Sequence, residues 1–172
     1  NDTAICEGNI ITLSGAMGGS ASSITWTSSG DGSFNDSTLL TAIYTPGISD
    51  ISTGSATITI TSNDPLGPCS SGIDSMIIIM GSAAAVSAGN DTNICAGNTL
   101  TLSGNMGGGA TSITWSSSGD GTFNDSSSLS AIYTPGASDI SVGIATLTIT
   151  TNDPAGPCLP AMDSLVLTIN PV

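Results

Sequence analysis

The sequence predicts an all-β protein made of two tandem antiparallel β-sandwich domains with about seven strands each. The first observation is a repeat: residues 1–83 align without a gap on residues 90–172, at an offset of 89 residues and with 53 of 83 positions identical. The second is a series of short apolar runs separated by turn-forming residues about every 10 positions. The third is that apolar residues nowhere recur at helical spacing. A unit of this length is large enough to hold its own small core.

The repeat places the domain boundaries. Residues 1–83 form the first predicted repeat and residues 84–172 the second, with residues 84–89 (Ala-Ala-Val-Ser-Ala-Gly) as a lead-in strand or linker. No equivalent of this segment stands before Asn1, and the last residues of the chain lie where another lead-in would begin. We expect two repeats cut from a longer array; a complete two-domain protein is the alternative.

The strands of the first repeat follow from local patterning. The run Ala56–Thr61 alternates strictly between apolar residues and Thr, as a half-buried strand does. The continuous apolar run Met76–Met80 suits a strand covered on both faces or a contact between units. Three shorter runs complete the set of predicted strands: Ile10–Leu13, Ile24–Thr27 and Ala42–Tyr44. Clusters rich in Ser, Gly, Asn, Asp and Pro predict the turns between them: Ser14–Ser20, Ser28–Ser33, Thr45–Gly54 and Asn63–Gly67.

The six aromatic residues occupy matching positions in the two repeats. A Trp on a central strand, with a Tyr at the end of a later strand, fills a small sandwich core. The competing interpretation is an aromatic cage for a ligand. The predicted core aromatics are Trp26, Phe34 and Tyr44, then Trp115, Phe123 and Tyr133.

The charge composition excludes several functions. The chain has no Lys, Arg or His and 13 acidic residues, which gives a formal net charge of -13. Nucleic acid and anionic membrane surfaces require cationic side chains, so both are excluded as partners. General bases and Schiff-base amines are largely missing as well, and we therefore predict no enzymatic activity and no catalytic residues. No apolar run reaches the roughly 20 residues of a membrane span.

The four cysteines also repeat. Each unit carries two cysteines at the same separation of 63 residues, which predicts one disulfide in each unit: Cys6–Cys69 and Cys95–Cys158. Zinc is the alternative for paired cysteines, but the sequence has neither a Cys-x-x-Cys motif nor a His. Disulfides indicate an oxidising compartment outside the cytoplasm.

The acidic residues suggest one cofactor. Side-chain oxygens crowd the turn between Asp31 and Asp36, and Asp64 is a further candidate in the first repeat. Calcium takes 6–8 such oxygens, often from loops. The alternative is that Asp and Asn stand there because they stabilise turns through local hydrogen bonds. The candidate calcium ligands are Asp31, Asn35, Asp36 and Asp64, with their counterparts Asp120, Asn124, Asp125 and Asp153.

The motifs GDGSFND after a Trp strand, YTPG and a late Cys resemble immunoglobulin-like repeats of the polycystic-kidney-disease-like (PKD-like) type. More closely, the run from NDTAIC to NDPLGPC is similar to tandem repeats of very large surface proteins of gliding and other Bacteroidota. The resemblance covers nearly all of both units. It implies secretion, by the type IX route, and a role as an adhesin or extracellular filament.

The resemblance also implies O-glycosylation. In that phylum the modified Ser or Thr follows Asp and precedes one of a few mostly apolar residues. The matching acceptors here are Thr3, Ser37, Ser75 and Ser164. Asp91-Thr92-Asn93 and Asp125-Ser126-Ser127 depart from the pattern.

Three functions fit the residues. The leading hypothesis is a non-catalytic structural module of an extracellular adhesin stalk or fibre, whose partners are neighbouring copies of the repeat together with a surface glycan or a host or substratum ligand. The second is a filament subunit in which an apolar strand completes its neighbour. The third, from another class, is a carbohydrate-binding module, which would require exposed aromatic residues.

Overall fold

The computed structural model describes residues 1–64, 70–154 and 156–172. They divide into two compact units, Asn1–Ser82 and Ala83–Val172. Both units are built from strands packed face to face, and the predicted all-β sandwich class is confirmed.

The described residues of unit 1 form two sheets and one short helix. The elements are β1 (Thr3–Cys6), β2 (Ile11–Thr12), β3 (Ile24–Ser28), β4 (Ser33–Phe34), β5 (Ile43–Thr45), α1 (Ile48–Thr53), β6 (Ser55–Ser62) and β7 (Ile73–Gly81). The four-stranded sheet has the order β1-β7-β6-β3, and the three-stranded sheet has the order β2-β5-β4.

Unit 2 repeats this topology and adds a pair of strands. The elements are β8 (Ala84–Ser87), β9 (Thr92–Cys95), β10 (Leu100–Thr101), β11 (Asn105–Gly108), β12 (Ile113–Ser117), β13 (Thr122–Phe123), β14 (Ile132–Thr134), α2 (Ala137–Val142), β15 (Ile144–Thr151) and β16 (Met162–Asn170). The main sheets have the orders β12-β15-β16-β9 and β10-β14-β13, and β8 pairs separately with β11.

Alternation along the strands builds the core of each unit. On β3 the side chains of Ile24 and Trp26 are buried, while the Thr residues beside them face solvent. On β6, Ala56 and Ile58 turn inward in the same way. Apolar residues at every second position of a strand lie on one face, so both sheets present an apolar face to the interior. Tyr44, from the second sheet, is fully buried between them.

The first and last strands of the main sheet run parallel in both units. Thr3 aligns with Ile78 and Cys6 with Gly81 in unit 1; Thr92 aligns with Leu167 and Cys95 with Asn170 in unit 2. In each unit, the residue where the first strand of the pair begins and the residue where the second strand ends therefore lie at opposite ends of the sheet.

The described part of each unit contains one short helix that the sequence patterning does not predict. The segment Thr45–Gly54 is predicted as a turn, but Ile48–Thr53 forms α1. A helix of six residues is too short to show a periodic apolar face, so hydrophobic patterning cannot reveal it. Local chemistry defines it instead: Asp31 accepts hydrogen bonds from Ser49 N and Asp50 N at its start, and Gly54 ends it at φ 76°.

A buried carboxyl group ties this helix to the second sheet. Asp50 is 1% exposed, and its Oδ2 accepts hydrogen bonds from Tyr44 Oη at 2.6 Å, Gly47 N at 3.0 Å and Gly32 N at 3.1 Å. Ser28 Oγ lies 2.7 Å from the same phenol oxygen. Unit 2 repeats every contact around Asp139 and Tyr133. Burial raises the pKa of Tyr44 and of Tyr133 to about 12, and the hydrogen bond to the carboxyl group adds to the effect.

This geometry predicts alkaline destabilisation between pH 10 and pH 12. Below pH 10 the phenol is protonated in the folded and the unfolded chain; above it, only the unfolded chain loses the proton, so stability falls until the folded pKa is reached. The loss amounts to about 2–3 kcal/mol per tyrosine. Absorbance titration of the tyrosines and pH-dependent denaturant unfolding measure it. Tyr44→Phe removes the loss for unit 1 alone, and Tyr133→Phe is the matched variant for unit 2. Tyrosines that titrate near pH 10 in the folded protein contradict the prediction.

Candidate strand-binding groove

The lead-in segment of unit 2 is part of that unit's fold. Strand β8 pairs antiparallel with β11, with Ala84 opposite Gly108 and Ser87 opposite Asn105. Immediately after it, Ala88 is fully buried, and Val86 packs against the core from the strand itself. The predicted lead-in is therefore a strand, and its side chains complete the hydrophobic interior of unit 2.

Unit 1 has residues that match β11, and among residues 1–64 and 70–82 no strand pairs with them. Residues Ala16–Gly19 stand at the positions of Asn105–Gly108, and they form no strand. A groove of about 400 Å³ opens beside them, with Ile24, Ile60 and Asp74 in its walls. An adjoining cavity of about 220 Å³ reaches Trp26 and Met76.

The side chains beneath this groove are less covered than their counterparts. Ile149 is fully buried in unit 2, whereas the equivalent Ile60 is only partly buried. Leu165 is 4% exposed, whereas its equivalent Met76 is partly buried. The difference follows the missing strand, since Ile149 and Ile60 are the same residue type on equivalent strands.

One glycine of unit 1 has the same backbone φ as its counterpart in β11: Gly19 has φ 66° and Gly108 has φ 61°. A Cβ added to Gly108 would collide with the carbonyl oxygen of Ala83, the residue before β8. A Cβ added to Gly19 would meet no atom within 4 Å. The two glycines therefore share a positive φ, but only Gly108 has chain packed against its α-carbon.

An aspartate marks the end of the groove in both units. In unit 2, Ala88 N donates a hydrogen bond of 2.8 Å to Asp163 Oδ2, and this bond is the main cause that lowers the pKa of Asp163. The equivalent Asp74 is exposed, and its Oδ1 accepts a hydrogen bond from Ser75 N, in its own strand. Asp74 thus occupies the position from which Asp163 holds the lead-in strand.

The side-chain oxygens of the candidate calcium ligands between residues 31 and 36 accept hydrogen bonds from nearby backbone and hydroxyl groups. Asn35 Oδ1 accepts a hydrogen bond from Ile43 N at 2.6 Å, and Asp36 Oδ1 accepts one from Thr38 N and another from Thr38 Oγ1. The hydroxyl of Thr38 is the largest cause that lowers the pKa of Asp36, and Ser49 N is the largest for Asp31. In unit 2, Asn124, Asp125 and Asp120 repeat these contacts.

The fourth candidate ligand lies elsewhere in each unit. Ser62 aligns with Ile24 at the beginning of β3, so Asp64 follows that end of the sheet, whereas Asp31 follows the other end of β3. The expected grouping of Asp64 with Asp31 is therefore wrong, and Asp153 is separated from Asp120 in the same way. Across residues 1–64, 70–154 and 156–172, no group of three or more Cys, Asp or Glu side chains could hold a metal ion.

The predicted pairing of Cys95 with Cys158 is wrong. Cys95 is a free, exposed thiol, whereas Cys158 is buried and disulfide-bonded. Cys95 aligns with Asn170 at the end of β16, while Cys158 precedes the start of that strand at Met162. Eight residue steps of strand span roughly 26 Å. The Cα atoms of a disulfide lie within about 7 Å of each other.

The other predicted pair involves Cys69, which lies outside the described residues. Cys6 is disulfide-bonded and aligns with Gly81, at the end of β7. Asp64 and Ser70, which flank the undescribed stretch, belong to the connection that precedes β7 at Ile73.

The predicted core aromatics lie in the two hydrophobic cores or pack against them. Trp26, Tyr44, Trp115 and Tyr133 are buried, while Phe34 and Phe123 are partly buried and pack against the cores.

Among the glycosylation acceptors implied by the resemblance, Ser75 and Ser164 are exposed on β7 and β16, and Thr3 and Ser37 are partly exposed. Glycosylation stays a prediction.

Solved structures with similar folds are immunoglobulin-like. Hemolin, an insect immune protein, matches with a TM-score of 0.60 and 12% identity over 98% of this chain and 45% of its own. Titin domains I67–I69 match with a TM-score of 0.53 and 12% identity over 99% of this chain and 62% of theirs. The chain thus spans less than two thirds of either structure. These likenesses show the fold: two tandem immunoglobulin-like β-sandwich domains.

The chain matches no protein-family model and no curated protein. Among its described residues, no helix is both long and apolar enough to cross a bilayer.

We expect chelation of divalent cations to leave the melting temperatures of both units unchanged, because the candidate ligands already accept backbone and hydroxyl hydrogen bonds. Differential scanning calorimetry with EDTA and with added calcium makes the measurement. A fall in melting temperature with EDTA that calcium reverses would show that the ion is part of the fold.

We expect a thiol reagent to label Cys95 in the folded, unreduced protein and to leave Cys6 and Cys158 unlabelled. The reason is that Cys95 is a free, exposed thiol, whereas the other two are disulfide-bonded. Peptide mapping by mass spectrometry locates the label, and Cys95→Ser is the matched control. Recovery of an unlabelled Cys95–Cys158 peptide pair would contradict the assignment.

Proposed function

We propose that this chain is a non-catalytic, load-bearing repeat module of an extracellular adhesin stalk or fibre. The observation that carries the proposal is the parallel pairing of the first and last strands of the main sheet in each unit. Tension applied at the two ends of such a unit pulls the paired strands in opposite directions. Their hydrogen bonds are then loaded together in shear and resist as a group.

The segment between the units also supports a tensile role. Only Ser82 and Ala83 separate β7 from β8, and β8 is built into the fold of unit 2. A pull along the chain therefore has little slack to remove before it loads paired strands. The absence of Lys and Arg further suits an exposed location, since trypsin-like proteases find no site to cleave.

The finer identity rests on the sequence motifs. The resemblance to repeats of large Bacteroidota surface proteins, secreted by the type IX route, supports a surface adhesin or extracellular filament as the parent protein. Neighbouring copies of the repeat are the proposed partners. The hemolin structure, which is described as having implications for homophilic adhesion, is a similar fold used in another protein.

The structure bears differently on the two alternative functions. A filament subunit completed by a neighbour's strand is favoured by one specific observation, the uncovered groove of unit 1. A carbohydrate-binding module is disfavoured because Trp26, Tyr44 and their counterparts are buried in the cores and form no aromatic platform.

Single-molecule force spectroscopy tests the load-bearing role. Ala96 N donates a hydrogen bond of 2.8 Å to Asn170 O beside the β9–β16 pair. Ala96 is also the second residue of a turn closed by Asn98 N on Cys95 O, with Gly97 at φ 89°. Pro is favoured at that position of a type II turn, so Ala96→Pro removes the donor without breaking the turn. We expect the unfolding force of unit 2 to fall while that of unit 1 is unchanged.

The matched control is Ala137→Pro, which places the same residue at the first position of α2, where Pro is tolerated. A second control attaches the pulling handle to Cys95 in place of the N-terminus. Cys95 and the end of β16 lie at the same end of the strand pair, so the bonds open one after another and the force should drop. Equal forces in the parent, in Ala96→Pro and in the Cys95 geometry would exclude the load-bearing role.

A further inference from the structure

We propose that the groove of unit 1 is an acceptor site for a second copy of the lead-in strand, entering directly ahead of Asn1 as Ala84–Ala88 enters ahead of Asn90. This proposal deepens the proposed function, because it defines how one repeat of an array is completed. The occupant is an extended segment of small apolar residues of the type Ala-Ala-Val-Ser-Ala.

Unit 2 supplies the template for this occupant. Its lead-in strand lies against the residues equivalent to those that line the groove, and it pairs in register from Ala84 opposite Gly108 to Ser87 opposite Asn105. Residues Ala16–Gly19 carry Met and two Gly at the same positions as Asn105–Gly108, so unit 1 offers the same pairing edge.

The side chains in the groove match the side chains of the strand. Alanine and valine side chains fit beside Ile60 and Met76, which stay partly covered while Ile149 and Leu165 are buried. Bulky side chains are excluded where the strand's Ala88 is fully enclosed in unit 2. The chemistry of the site therefore selects small apolar residues.

Two residues of unit 1 match residues that contact the lead-in strand in unit 2. Gly19 has a positive φ like Gly108, and the space beside its α-carbon is open, whereas the corresponding space at Gly108 holds the carbonyl oxygen of Ala83. Asp74 stands where Asp163 accepts the hydrogen bond from Ala88 N. Both features are local consequences of the repeated sequence, and both gain a partner once a lead-in strand is seated.

The test compares the parent chain with a variant that carries the six residues Ala-Ala-Val-Ser-Ala-Gly fused ahead of Asn1. Hydrogen–deuterium exchange reports on residues 16–19, with residues 105–108 as the internal reference. In the parent we expect fast exchange at 16–19 and slow exchange at 105–108. In the fusion we expect exchange at 16–19 to slow by about tenfold or more, and the melting temperature of unit 1 to rise by about 5 °C or more.

Two matched controls separate strand insertion from a general effect of the added residues. A fusion with Pro in place of Val lacks a backbone donor in mid-strand and should give neither change. Gly19→Ala destabilises both the parent chain and the fusion, because alanine is strained at a positive φ. Only in the fusion would its Cβ also collide with the added strand. We therefore expect the stabilisation by the fusion to be lost in Gly19→Ala.

Unchanged exchange at residues 16–19 in the fusion would overturn the proposal, as would equal stabilisation by the Pro-containing fusion. Slower exchange at residues 16–19 of the parent at higher protein concentration would also overturn the proposal, because the groove would then be covered by another molecule of the parent chain, which carries no lead-in strand ahead of Asn1. None of these results depends on unfolding forces. Failure here with a high unfolding force rejects the groove alone, and a low force with a filled groove rejects the load-bearing role alone.

Discussion

The structure depends on how carboxyl groups are satisfied in a chain that has no cationic side chain. The sequence contains 13 acidic residues and no Lys, Arg or His, so no side-chain ion pair can form. Asp50 and Asp139 are nevertheless buried, because a phenol and two backbone N–H groups converge on each. An unpaired carboxyl group at that depth would be strongly destabilising. The same bonds fix the helix, the turn at Gly32 and strand β5 relative to one another, so each unit's second sheet is positioned by one acidic side chain.

Two repeats of similar sequence can differ in which side chains they leave exposed, because strand β8, which covers one edge of unit 2, lies outside the two main sheets. Ile60 and Ile149 are the same residue on equivalent strands, yet only Ile149 is fully buried. The cause lies in strand β8 and the residue after it, because Val86 and Ala88 pack into the core of unit 2. An uncovered strand edge is a site where another strand can pair. The groove of unit 1 and the edge of unit 2 that β8 covers are thus equivalent positions, open in one unit and covered in the other.

The 89-residue repeat and the alternation on strands such as β6 were enough to predict the fold class, since both reflect how side chains divide between core and solvent. The helices were not predictable in this way, because α1 depends on Asp31, Asp50 and Gly54 and not on an apolar stripe. The equal spacing of the cysteines suggested a Cys95–Cys158 disulfide, but spacing along the chain carries no information on strand register. Register places Cys95 beside Asn170, far from Cys158. The groove beside Ala16–Gly19 could not be predicted from the sequence, because these residues closely match Asn105–Gly108 and only coordinates show which of the two segments is paired with a strand.

In the proposed load-bearing role, the lead-in strand and the parallel strand pair of unit 2 would carry the same tension in succession. Tension that enters unit 2 would pass first through Ala84–Ser87, which pairs antiparallel with β11, and then through β9, which pairs parallel with β16. The antiparallel pair has only Ala84–Ser87 on one side, and its detachment would expose Ala88 and the core beside Ile149 while β9 and β16 stayed paired. The parallel pair would then still carry the load in shear. In the load-bearing role proposed above, release of the lead-in strand would be a first, small extension, and the parallel pair of β9 and β16 would retain the sandwich of unit 2.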